Sequence, residues 1–95
     1  MSAQQCVYVI STFGGFFSKI GVSRDPAARL AQLQTACPHE LTLCHATGQM
    51  PAGSARSIER LCHAYLSDHR EAGEWFAIPP DLAAAAILDA MEVAQ

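Results

Sequence analysis

Ninety-five residues carrying a formal net charge of −3 make one domain, and 51% hydrophobic against 16% charged residues is a folded composition, not a disordered one. No apolar run approaches the roughly 20 residues that cross a bilayer, and the opening Met1-Ser2-Ala3-Gln4-Gln5 lacks the basic and apolar regions of a secretory signal, so an intracellular setting is expected. Residues 1–50 hold three cations against two acids and residues 51–95 three against seven, which excludes the broad basic face of a protein that grips nucleic acid by charge alone.

The chain opens with a strand pattern. Cys6 to Ile10 is β-branched and aromatic, and Gly14-Gly15 after it supplies the permissive backbone of a hairpin turn. Phe17 to Val22 alternates as the returning strand. Asp25-Pro26 then predicts a helix start, with Asp25 as cap and Pro26 at the first helical position. This helix is expected over Pro26 to Gln34, with Ala27, Leu30 and Leu33 inward. Leu41 to Thr47 reads as a third strand and Gly48 to Gly53 as a loop.

Ser54 is a candidate cap for a second helix to about Ser67, whose Ile58, Leu61, Cys62, Tyr65 and Leu66 fit one apolar stripe. Asp68 to Gly73 is a polar turn, and Glu74 to Ile78 a short strand. Pro79-Pro80-Asp81 starts a third helix, about 81–93, whose Ala83–Ala86 run with Ile87, Leu88 and Met91 suits packing on the sheet or on a neighbouring copy. Cys6, Cys37, Cys44 and Cys62 form no C-x-x-C pair and read as reduced thiols. Cys37, His39, Cys44 and His45 match no usual zinc spacing.

Four residues in this framework carry chemistry, and each also has an ordinary explanation. Tyr8 alternates with Val7 and Val9 and suits a sheet aromatic. Arg29 lies beside Leu30 and Leu33 and suits a solvated helix cation. Glu59 has Arg56 and His63 within one helical turn as ion-pair partners. Lys19 sits in the second strand. In order, however, these residues form a recognisable set.

The strings Val7-Tyr8-Val9-Ile10, Lys19-Ile20-Gly21 with Arg29 eight positions after the glycine, and Ile58-Glu59-Arg60 resemble the GIY-YIG nuclease superfamily. Tyr8 stands for the first tyrosine, Lys19-Ile20-Gly21 for the second half of the motif, and Glu59 for its metal-binding glutamate. The likeness is closer to a short branch known from phage open reading frames and meiosis-associated proteins. Its K-I-G, R-L-x-x-L-Q-T, E-x-x-x-H and G-E-W-F strings read here as Lys19 to Gly21, Arg29 to Thr35, Glu59 with His63, and Gly73 to Phe76.

That resemblance spans residues 6–78 and implies a single α+β domain over residues 1–95. The expected architecture is a three- to four-stranded, mainly antiparallel sheet flanked by about three helices. The implied activity is divalent-metal-dependent hydrolysis of phosphodiester bonds in nucleic acid, with DNA favoured over RNA. One Mg2+ or Mn2+ would sit on Glu59, completed by water and phosphate oxygens. Tyr8 would orient or deprotonate water, with Lys19 the nearest source of positive potential, Arg29 would hold the phosphate, and His63 would relay a proton or touch phosphate. Lys19, Arg24 and Arg29 are the expected nucleic-acid contacts, and Glu74 is an accessory acid. The alternative is an inactive module of the same fold that binds nucleic acid or a protein. Few basic residues leave selectivity to a partner protein or a homodimer.

Overall fold

The computed structural model describes residues 3–12 and 14–94; the predicted hairpin segment therefore includes one position, Phe13, that lies outside the described residues. In chain order the elements are β1 (Gln4–Thr12), β2 (Ser18–Ser23), α1 (Pro26–Thr35), β3 (Leu41–Ala46), β4 (Met50–Pro51), α2 (Ala52–Tyr65), β5 (Arg70–Ala72), β6 (Trp75–Phe76) and α3 (Pro80–Val93), with a single 3-10 turn at Ser67–His69. The α+β class and three helices are as expected. Among the described residues the sheet is larger than expected: six strands rather than three or four, all paired antiparallel.

The path β3-β1-β2-β6-β5 puts β1 at the centre, and β4 pairs with the start of β1. A central strand is covered on both faces. That is why Cys6 to Ile10 is a continuous apolar run and why every one of those residues is buried. Alternation still assigns the faces. Val7, Val9 and Ile20 point to α2 and α3, meeting Ala55, Ile58, Cys62, Ala83, Ala86 and Ile87. Tyr8, Ile10 and Leu41 point the other way, to Leu30, Leu33 and Trp75. The result is three layers: two helices, the sheet, and α1.

Helix α1 starts as its sequence dictates, with the Asp25 carboxylate accepting from the Ala28 amide at 3.1 Å. Its cover is lighter than expected, because none of its residues is fully buried and Ala27 is exposed. Helix α2 begins two residues before Ser54, follows Pro51, and has no side-chain cap. Its stripe is only partly used. Ile58, Cys62 and Leu66 are buried, while Leu61 and Tyr65 turn outward beside α3. Small alanines on α3 let the two helices lie together on the sheet. Among the described residues no helix is long and apolar enough to cross a membrane.

Candidate functional site

The ladder between β2 and β6 is short, and its end makes the site. Ser18 pairs with Phe76 and Lys19 with Trp75, after which β6 stops. The next outward amide, Ile20 N–H, donates to the Glu74 carbonyl at 3.2 Å. The Ile20 carbonyl would then lack a strand partner; instead it accepts from the His63 ring at 2.9 Å. His63 therefore fastens α2 along the outer edge of β2. Glu59, one turn earlier on that helix, is carried to the same edge.

Because a carbonyl only accepts, His63 Nε2 carries the hydrogen, and Nδ1 is left to accept from the Arg70 guanidinium at 3.4 Å. The ring also packs on Phe76 at 5.1 Å between centroids. Both ring nitrogens are thus engaged.

Glu74 reaches this edge from the turn before β6. Its carboxylate accepts from Lys19 at 2.6 Å, the one ion pair among the described residues. Lys19 is 7% exposed, its stem lying in the sheet and its ammonium 5.9 Å from the Trp75 ring. Ligand atoms of Glu59, His63 and Glu74 all fall within 4.8 Å of one another.

The environment pushes the two acids apart. Burial, then the charge of Glu74, raises the Glu59 carboxyl above its ordinary value, against the pull of His63 and Lys19. Burial also disfavours charge on Glu74, but the hydrogen bond and charge of Lys19, with a hydrogen bond from Glu59, outweigh it and hold Glu74 below its ordinary value. Of the two, Glu74 is the acid that loses its proton first as pH rises.

Tyr8 comes to the site from the α1 face of β1. It is registered opposite Gly21, and its phenol lies over that glycine: a Cβ there would stand 2.5 Å from the Tyr8 hydroxyl. Glycine at 21 is what lets the ring lie flat. Burial raises the phenol above its ordinary value, and the Arg29 guanidinium beside it opposes that rise. The cation serving Tyr8 is therefore Arg29, rather than Lys19 as the sequence suggested. Arg29 also donates to Gln32 at 3.3 Å and remains half-buried.

Of the sequence-derived candidates, Tyr8, Lys19, Arg29, Glu59, His63 and Glu74 come together at this edge. Arg24 stands apart and exposed on the β2–α1 connection, where its carbonyl accepts from Gln49. Arg70 was missed. It lies in what the sequence presents as a polar turn, and no spacing rule links it to His63 and Phe76. The four cysteines are free thiols, with burial and the charge of Glu59 pushing Cys62 up to about 11. Such a thiol is inert at neutral pH.

A protein-family model, the T5orf172 domain, matches residues 5–92. No curated protein and no solved structure matches the chain.

Proposed function

The chain belongs to the T5orf172 domain family, phage-associated nuclease-like or nucleic-acid-binding modules, and on that premise we propose that it is a divalent-metal-dependent nuclease hydrolysing nucleic-acid phosphodiester bonds through a GIY-YIG-like site. One observation carries the reading: Glu59 and Glu74 meet where the β2–β6 ladder ends, beside Tyr8 and Arg29.

The residues suit a hard cation. Two carboxylates within 4.8 Å, with one lysine paired to Glu74, leave an excess of negative charge that a divalent ion would relieve. Magnesium is commonly held by one or two carboxylates with water and substrate phosphate, and manganese accepts the same donors. Bound by Glu59 and Glu74, the ion would neutralise charge at the scissile phosphate and acidify a water.

The chain's own groups have distinct parts. Arg29 offers a planar fork of donors to the phosphate oxygens. Burial keeps the Tyr8 phenol protonated at neutral pH, so its hydroxyl orients the attacking water by hydrogen bond. Lys19 holds Glu74 ionised and fixed. His63, with both nitrogens engaged, positions Glu59 by tying α2 to β2. Arg29 lies within α1 and Arg24 on the exposed connection before it, where they suit contacts to flanking phosphates.

A second reading has one observation in its favour. The net charge of −3, with Lys19 already committed to Glu74, suits an inactive module that needs a partner to hold nucleic acid. Supercoiled plasmid, single-stranded DNA and RNA, each incubated with Mg2+ or Mn2+ against an EDTA control, separate the two. Metal-dependent cleavage is the expected result, and binding without cleavage favours the inactive module.

A further inference from the structure

The sheet face that carries Tyr8 does not end at the reacting groups. Along β1 from Tyr8 to Thr12 is four residues, about 13 Å at strand rise. Along α1, Leu33 lies one turn past Arg29. At that distance Thr12, Phe17, Leu33, Cys37, Leu41 and Trp75 line a cleft of about 350 Å³, inside the usual size range of small-ligand sites. A second hollow shares Thr12 and Phe17 with it and is lined further by Phe16 and His39.

Three features of this cleft bear on its occupant. Its wall is shared with the site: Trp75 lines the cleft and has the Lys19 ammonium 5.9 Å from its ring. It is aromatic where it is open: Phe16 is 73% and Phe17 41% exposed, and neither belongs to a buried cluster. It offers little to read by hydrogen bonding, since the Thr12 hydroxyl is engaged with the Phe17 backbone.

A ligand matched to this surface has a flat apolar face and is attached to an anion lying towards Arg29. We propose that the cleft receives an unpaired nucleobase of the strand whose phosphate Arg29 holds, stacked on Trp75 and Phe17. This rests on the nucleic-acid reading above and adds to it a substrate class: single-stranded or locally unpaired nucleic acid. In an intact duplex the base faces are covered by their neighbours, so a stacking cleft selects strands whose bases are free. Stacking on aromatic side chains is tolerant of base identity. The cleft therefore selects strand structure and not sequence.

Trp75 is the only tryptophan, so its fluorescence reports the cleft directly. The test titrates wild-type protein, with Ca2+ in place of Mg2+ to hold cleavage off, with end-labelled oligonucleotides. These are a short single strand, the same strand in duplex, and an abasic strand of equal length. Label anisotropy gives binding, and Trp75 emission gives occupancy of the cleft. The single strand is expected to quench Trp75 saturably, with the duplex and abasic strand binding more weakly and without quenching. Phe17→Ala, at an exposed position that leaves the core intact, is expected to weaken single-strand binding about fivefold or more; Phe16→Ala is a second variant at the rim. Strand binding with unchanged Trp75 emission and full affinity in Phe17→Ala overturns the cleft assignment while leaving the nuclease reading standing. No anisotropy change with any nucleic acid defeats the nucleic-acid reading itself, and the cleft assignment with it.

Discussion

The Tyr8 phenol lies on Gly21, its registered partner across the β1–β2 ladder, with no room between them for a methyl group. This contact sets the height of the hydroxyl above the sheet and so its place beside Arg29. Gly21→Ala is expected to destabilise the fold by about 1–3 kcal/mol through overpacking, read as a lowered urea midpoint. Because the hydroxyl is the nearest atom, Tyr8→Phe in the same background should restore part of the loss. Equal midpoints for Gly21→Ala and wild type would show that the ring does not lie there.

Arg29 and Glu59 are half-buried and contribute little to the core. Arg29→Ala and Glu59→Gln are each expected to leave the circular dichroism spectrum unchanged and to lower cleavage by roughly 100-fold or more, about 2.7 kcal/mol of barrier. Single-turnover cleavage of a labelled strand measures this. Wild-type rates in either variant would remove that residue from the mechanism.

The two acids give a pH dependence with a definite sign. Glu59 has a folded-state value above its ordinary 4.5, so the folded state binds its proton more tightly than the unfolded state does. Its ionisation therefore costs stability, in full at pH above the folded value, and the cost fades as pH falls through that value towards 4.5. Glu59→Gln, which removes the charge and keeps the shape, should then be more stable than wild type at pH 7 without metal. That advantage should disappear by about pH 4. Glu74 runs oppositely: its contribution is present above the ordinary value and lost as pH falls through its lowered one. Urea melts of both proteins in EDTA at the two pH values decide this, and a neutral-pH wild type more stable than Glu59→Gln would contradict it.

Lys19 and Glu74 form a pair whose lysine is almost wholly buried. Lys19→Met should cost about 1–3 kcal/mol, because it leaves Glu74 charged beside Glu59 with no counter-ion. Glu74→Gln added to Lys19→Met should recover much of that cost. A double-mutant cycle reads the coupling; strict additivity would show that the pair contributes nothing to the fold.

Much of this arrangement was legible in the chain because it is local. Asp25-Pro26 marks its helix since the cap is a contact three residues away, and Cys6 to Ile10 marks a strand by composition alone. What was not legible depends on partners distant in sequence. β4 and β5 are two and three residues long, too short to show a period, and of the strand expected over Glu74 to Ile78 only Trp75 and Phe76 form β6, where Ser18 and Lys19 offer a ladder. Leu61 and Tyr65 fit the apolar stripe of α2, but α2 meets the sheet on a narrower face and leaves them outside. The candidate site divides in the same way. Tyr8, Arg29 and Glu59 were reached through motif order. Glu74 stood only as an accessory acid, and Arg70 was invisible, because each is brought in by a bond to a residue far away in the chain.

On the proposed mechanism Glu59 and Glu74 jointly hold one divalent ion where the β2–β6 ladder ends. Mn2+ titrated into isotope-labelled protein tests it most directly, since the ion's paramagnetism broadens the amide signals nearest to it. The account predicts broadening at low Mn2+ centred on Glu59 and Glu74, spreading to Gly21 and His63, reversed by excess Mg2+, and lost in Glu59→Gln. Broadening centred on the exposed acids Asp81, Asp89 and Glu92 of α3, or an unchanged pattern in Glu59→Gln, would contradict it.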